Sequence, residues 1–321
     1  MLAGHITARG QVELVDIPEA TLDGEPGQIL FEPHLGCLCG SDVPYFDSSH
    51  SDYPLEVGYS LHEMIGVVTA TTGQRFKPGD RVLAVPIRQR GLYELYALDE
   101  SRAIPLDPRK PPEQALMAQP LGTVIFALRK LPNLIDQVVA VVGQGPIGQM
   151  FNACLRNLGA REIIAIDKVD SRLAISEAMG ATVVVNNAKD DPVEAVRKAN
   201  GGALADVVVE AVGHDEIALD LCAQLCVKYG RILSFGVPPE TVDGLHWREL
   251  FYRNITVHTS VDPDFSRDFP LAMRWISDGR IDLSRILTHR FPLAQIQDAF
   301  EMFRDRKEGA QKILIDFPRA K

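Results

Sequence analysis

The sequence predicts an α/β protein: a β-rich first part joined to a doubly wound, six-stranded parallel sheet. Three observations lead there. Residues 1 to about 120 carry short apolar runs punctuated by Pro, Gly and Asp. From 121 to 261, six runs rich in Val and Ile alternate with amphipathic stretches. Between the first of those runs and its helix stands the glycine triplet of Gly143-Gln144-Gly145-Pro146-Ile147-Gly148.

In the first part, Gln28-Ile29-Leu30-Phe31 and Met64-Ile65-Gly66-Val67-Val68 read as strands. Their β-branched and aromatic residues favour a pleated, half-buried surface. Pro78-Gly79 makes a turn that feeds a strand at Arg81-Val82. In the second part the predicted strands are 138–142, 162–166, 182–185, 206–210, 231–235 and 255–259. The predicted helices are 147–158, 171–179, 192–199 and 216–227. Such alternation means β-α-β units and a parallel sheet covered on both faces. The tail, 262–321, carries helices at 269–278 and 293–304 and a strand at 312–316. It is expected to return to the first domain, with the active site in the cleft that this insertion creates.

Length and composition bound the function. The chain has 321 residues, enough for two domains, with 46% hydrophobic and 24% charged residues. Net charge is -10 and no Lys/Arg cluster stands out. That argues against nucleic acid or an anionic membrane as partner, since both need concentrated positive charge. No apolar run approaches the ~20 residues of a membrane helix. The first residues lack the basic start and apolar core of a signal peptide. Five scattered cysteines form no disulfide framework, and a reduced, cytoplasmic setting is the simplest expectation.

The glycine triplet has the context that gives it meaning: a strand before, a helix after and Asp167 ending the next strand. Gly143 permits the tight turn, Gly145 lets backbone approach a pyrophosphate, and Gly148 lets helix pack on strand. N–H groups at the helix start, around Pro146 and Ile147, would hold phosphate oxygens. A carboxylate at Asp167 suits ribose hydroxyls and repels a 2′-phosphate, so NAD is expected over NADP. Lys168 and Arg172 lie close enough in sequence to soften that preference. Val212-Gly213 and Phe235-Gly236-Val237 end their strands where a nicotinamide would lie.

Cys39, His62 and Glu63 are candidate zinc ligands, thiolate and imidazole being that ion's preferred donors. Spacing alone fits packing residues equally well. More pointed is their setting: Cys39-Gly40-Ser41-Asp42, then His62-Glu63. With Phe76-Lys77-Pro78-Gly79-Asp80-Arg81-Val82, Gln119-Pro120-Leu121, the glycine triplet and Leu287-Thr288-His289-Arg290-Phe291-Pro292-Leu293, the chain resembles the zinc-dependent medium-chain dehydrogenase/reductase family. The likeness runs nearly end to end and looks closest to the polyol, sugar and threonine dehydrogenases. It implies a GroES-like catalytic domain (1–120 and the return segment 262–321) around a Rossmann domain (121–261). It also implies one catalytic zinc ion held by Cys39 and His62, with Glu63 binding or flanking it and Gln119 as a weak fourth donor. Ser41 would take the alcohol proton, and Tyr45 would lie near a small-molecule alcohol substrate. A homodimer or homotetramer is expected.

Three departures from the family pattern stand out. Pro44 occupies the place of a relay histidine, and a proline carries no proton. His50 reads as a solvated loop histidine. The usual Gly-His-Glu becomes Gly58-Tyr59-Ser60-Leu61-His62-Glu63. Residues 84–98 contain no cysteine, so no structural zinc is expected. Cys37, Cys222 and Cys226 are expected in the core, the last two one helical turn apart. His246 and His289 show no recognisable partners in sequence. The expected activity is reversible oxidation of a secondary alcohol of a polyol, sugar or amino alcohol. Two rival readings exist: a metal-free reductase of an activated double bond, and a non-catalytic NAD(H)-binding redox sensor.

Overall fold

A computed structural model describes residues 1–48, 52–213 and 216–318. The chain divides into two compact units. One comprises Met1–Gln119, Phe265–Asp278 and Ile286–Lys321; the other comprises Pro120–Asp264 and Gly279–Arg285. The tail therefore does not return as a single piece: Gly279–Arg285 groups with the second unit.

The first unit opens with the antiparallel pair β1 (Leu2–Ala8) and β2 (Gln11–Asp16). Its main sheet has seven strands. These are β3 (Gln28–Cys37), β4 (Glu63–Thr71), β5 (Arg81–Ala84), β6 (Tyr96–Asp99), β7 (Ala103–Pro105) and, from the tail, two strands numbered below as β14 and β15. Strand β3 alternates partly buried and buried residues along most of its length, the period-2 signature of a half-covered sheet. The apolar core gathers Phe31, Phe46, Phe300 and Phe317, with Phe46 and Phe300 4.8 Å apart between ring centres. Each such buried ring contributes about 1.5–3 kcal/mol.

The second unit holds β8 (Val138–Val142), β9 (Glu162–Asp167), β10 (Val183–Asn186), β11 (Ala205–Glu210), β12 (Cys226–Ser234) and β13 (Thr256–Thr259). They form one sheet in the order β10-β9-β8-β11-β12-β13, every pair parallel. This is a Rossmann-type sheet. All five residues of β8 are buried, as a central strand covered on both faces requires. The helix Pro146–Asn157 starts with proline at a position that needs no N–H. Past its end, Gly159 takes a positive φ of 86°.

Two predicted helices come out shorter. Of 171–179, the structure keeps helix only in Asp170–Leu173. Beyond it Ser176 turns its hydroxyl to Gln144 Oε1 at 3.0 Å, and its N–H takes the tighter bond to Leu173 O. A serine offered a side-chain partner competes with the helical ladder. The predicted helix 216–227 ends at Leu225, and Cys226 already pairs with Ala205 as β12 begins. Cys222 and Cys226 thus lie on different elements, both fully buried.

From the tail come the helices Asp268–Ser277 and Ile296–Asp305 and the strands β14 (Leu287–Pro292) and β15 (Lys312–Asp316). Strand β15 lies between β14, parallel to it, and β3, antiparallel to it. No helix among the described residues is long and apolar enough to cross a membrane.

Candidate active site

Cys39 ends the loop after β3 and precedes the short turn Gly40–Asp42; His62 precedes β4, and Glu63 begins it. Strands β3 and β4 pair in the register Cys37↔Glu63, which brings the two segments side by side. One donor atom each of Cys39, His62 and Glu63 lies within 4.8 Å of the other two.

Asp42 organises this corner. It is fully buried, and its carboxylate accepts the Cys39 N–H at 2.7 Å and the Leu61 N–H at 3.1 Å. Its Oδ1 also lies 3.6 Å from His62 Nδ1, a charge contact too long for a hydrogen bond. Burial alone would raise the Asp42 pKa; the imidazole and the Cys39 N–H outweigh it and hold the group below its usual value. Burial likewise opposes a charge on His62, but Asp42 and Cys39 raise its pKa well above the ordinary one. Leu61 carries a φ of 68°, a backbone that glycine adopts freely and leucine does not. The altered segment before His62 thus keeps a glycine-like turn without the glycine. Its buried side chain and its bond to Asp42 hold it there.

Lys312, at the start of β15, was not anticipated. It is buried to 1% exposure and pairs with Glu63 Oε1, also donating to Leu38 O at 3.3 Å. Burial disfavours its charge, yet Glu63, Cys39 and Cys37 together raise its pKa. The other carboxylate oxygen, Glu63 Oε2, is buried with no hydrogen-bond partner. His62 Nδ1 faces the Asp42 carboxylate and so carries a ring proton, which leaves Nε2 as the ring's metal-binding nitrogen. Buried acceptors left unpaired are costly unless something fills the gap. A divalent cation does so, and the S, N and O donors are those zinc takes. The residues therefore fit the expected metal.

The other expected residues are placed as follows. Ser41 is half-buried inside the turn Gly40–Asp42. Tyr45 stacks on Tyr59 with ring centres 4.9 Å apart, and burial followed by Tyr59 and Asp42 raises its hydroxyl pKa. Gln119 is buried near the start of the helix Ala118–Leu128. Pro44 lies in the short helix Val43–Phe46, and His50 falls outside the described residues. Cys37 is buried, and burial pushes its thiol pKa well up. His246 and His289 do have partners: Asp220 Oδ1 at 2.9 Å and Thr288 Oγ1 at 3.0 Å.

In the second unit the glycine loop is tightly built. A Cβ on Gly148 would stand 1.8 Å from Gly143 O, whereas one on Gly145 would meet nothing nearer than Arg172 at 3.9 Å. Gly145 thus offers open backbone, and no side chain caps the helix that begins at Pro146, next to Ile147. That is the cradle a pyrophosphate needs, and the residues fit a dinucleotide. Asp167 is more occupied than expected. Its Oδ2 accepts the Gln144 N–H at 2.7 Å, its Oδ1 accepts the Val169 N–H at 2.9 Å, and Arg172 lies 3.6 Å away. Each oxygen keeps a second lone pair for a ribose hydroxyl. Lys168 is exposed just past β9. Val212-Gly213 lies one residue past β11, and Phe235-Gly236-Val237 follows β12 directly. Beneath the loop Gln144, Gln149, Asn152 and Ser176 form a buried hydrogen-bonded network, with Asn152 Nδ2 donating to Gln144 Oε1 at 2.7 Å.

Residues 146–278 match the family described as zinc-binding dehydrogenase. That match and the relatives below support a member of the medium-chain, zinc-type family. Its relatives in the family include the L-threonine 3-dehydrogenase of Bacillus velezensis, 26% identical over 92% of this chain and 93% of that protein. The sorbitol dehydrogenase of Bacillus subtilis is 23% identical over 97% and 95%. Among solved structures, the alcohol dehydrogenase TADH from Thermus sp. ATN1 superposes with a TM-score of 0.88 at 25% identity, covering 99% of this chain and all of that one. The fold seen here, a GroES-like β unit and a Rossmann-type unit, is shared with these structures, and the comparisons support an oxidoreductase of the dehydrogenase class.

Proposed function

We propose that the protein is an NAD-dependent zinc alcohol dehydrogenase. It would oxidise, reversibly, a secondary alcohol of a polyol, sugar or amino alcohol. The observation that carries this reading is the convergence of Cys39, His62 and Glu63, with the buried acceptor Glu63 Oε2 left unpaired. Cys39 and His62 would hold one zinc ion per chain, with Glu63 beside it and Gln119 as a further donor. Zinc supplies Lewis acidity that lowers an alcohol's pKa, and NAD supplies the hydride acceptor.

The chain's own residues do the rest. Asp42 fixes the Cys39 backbone and the Leu61 N–H, so thiol and imidazole keep their mutual geometry. Lys312 neutralises Glu63, so the donor set carries less negative charge and better tolerates an anionic oxygen. Ser41 accepts the alcohol proton; Pro44 cannot pass it on, so water completes the route to solvent. The Tyr45–Tyr59 stack offers a flat apolar wall with two hydroxyls, suited to a polyol chain. Gly145 and the first turn after Pro146 take the pyrophosphate, and Asp167 takes the adenosine ribose with a preference for NAD. The relatives named for threonine and sorbitol support a small polar substrate.

A homo-oligomer is proposed as well, joined through the second unit. Strand β13 ends the six-stranded sheet, and Trp247, Phe251 and Tyr252 are exposed on the helix Trp247–Tyr252 that precedes it. Edges of this kind are normally paired or shielded.

The test is NADH formation over polyols, aldoses, amino alcohols and apolar alcohols, with and without zinc. Cys39→Ala is expected to lose bound zinc and turnover while NADH still binds in calorimetry. Wild-type turnover in metal-free Cys39→Ala would overturn the zinc role.

A further inference from the structure

Glu210 ends β11, and its carboxylate is buried. No ion pair accompanies it among the described residues; backbone N–H groups surround it instead. Its Oε1 accepts from Val212 at 2.7 Å and from Gly213 at 2.8 Å, and its Oε2 accepts from Gly236 at 3.1 Å. Its main-chain carbonyl accepts from Phe235 at 3.0 Å and shares the Gly236 N–H at 3.2 Å. One residue therefore ties together the two loops that leave the C-terminal ends of β11 and β12.

Those loops touch backbone to backbone. A Cβ on Gly236 would stand 2.2 Å from Gly213 N, and one on Gly213 would stand 2.9 Å from Val237 N. Gly213 also needs its positive φ of 67°. With no side chain between them, the loops' spacing is set by the carboxylate that both bind. They carry Val212 and Val237, 44% and 55% exposed, beyond the C-terminal edge of the parallel sheet. Ligands of doubly wound sheets bind at that edge.

We propose that Glu210 is a positioning residue for the nicotinamide half of the dinucleotide, acting through Val212-Gly213 and Gly236-Val237. This rests on the cofactor reading above. An anion collecting several N–H groups is held firmly, and charge-assisted bonds are the stronger kind. A glutamine there cannot serve both loops: turning its amide oxygen to one points its NH2 at the N–H of the other. An aspartate keeps the charge but is one methylene too short to reach both.

The test compares two probes by calorimetry: NADH, and ADP-ribose, which lacks the nicotinamide and engages the glycine loop alone. In Glu210→Gln, NADH affinity should fall about tenfold or more while ADP-ribose affinity holds. Glu210→Asp should give the same split in milder form, and it serves where the glutamine variant does not fold. Parallel weakening of both probes, or no change in either, overturns the assignment. Wild-type protein that binds neither probe would instead overturn the cofactor reading itself.

Discussion

Lys312 and Glu63 are buried together, and each makes the other tolerable. Removing one partner of such a pair strands a charge in the core, at a cost of about 3–5 kcal/mol. Lys312→Met is therefore expected to lower urea stability of the metal-free protein by about that much, and the double variant Lys312→Met/Glu63→Gln to recover most of it. Equal midpoints for wild type and the single variant would show that the pair does not bear on stability. Sequence drew attention to Cys39, His62 and Glu63, which the structure brings together, because they lie in two short runs with distinctive neighbours. Lys312 was unreadable for a physical reason. A lysine that opens an apolar strand looks solvated, and only the β15–β3 pairing carries it inside. Asp42 bonds to the backbone of both segments, a role that only their pairing in the fold reveals.

The glycine loop invites a paired prediction at the scale of the element. Gly145→Ala adds a methyl where there is room, so Tm should stay while NADH binding weakens about tenfold or more, because the pyrophosphate loses its close approach. Gly148→Ala drives a methyl into Gly143 O, so Tm and NADH binding should both fall. Identical behaviour of the two variants in thermal melts and calorimetry would contradict this division of labour. The helix Glu216–Leu225 gives a pH effect. Burial raises the pKa of Asp220, but the His246 N–H and imidazole outweigh it, and the net shift is downward. Its stabilising contribution is thus complete above the unfolded carboxylate pKa of about 3.9 and disappears as pH falls through the lower folded value. Asp220→Asn should melt lower than wild type near pH 6, and the gap should close towards pH 3. Strands were the most legible elements, since runs such as Val-Val-Ala-Val-Val admit little else. The helices predicted over 171–179 and 216–227 were overdrawn, because Ser176 and Cys226 take partners distant in sequence.

For the whole molecule, the two-part architecture was readable from the change of texture near Pro120. The membership of Gly279–Arg285 was not, since nothing local to a short connecting segment says which core it joins. The separation of donor set and glycine loop into different units predicts separable losses: zinc removal by chelation should abolish turnover and leave ADP-ribose affinity unchanged. The proposed self-association is checked by sedimentation. Wild type should run as a dimer or tetramer, and Phe251→Glu, which charges the exposed aromatic patch, should shift it towards monomer. A monomeric wild type would remove the oligomer from the account.

The pairing of Lys312 with Glu63 spans 249 positions of chain, and that span has a bearing on biosynthesis. While β15 is still inside the ribosome, the carboxylate of Glu63 has no ammonium to lean on, and β3 lacks one of its neighbours. A nascent polypeptide in that state has every reason to keep the segment around His62 open to water. Electrostatic closure of this corner therefore waits until β15 has been made, so that a product truncated before β15 would be recognisable to proteases by its unsealed interior.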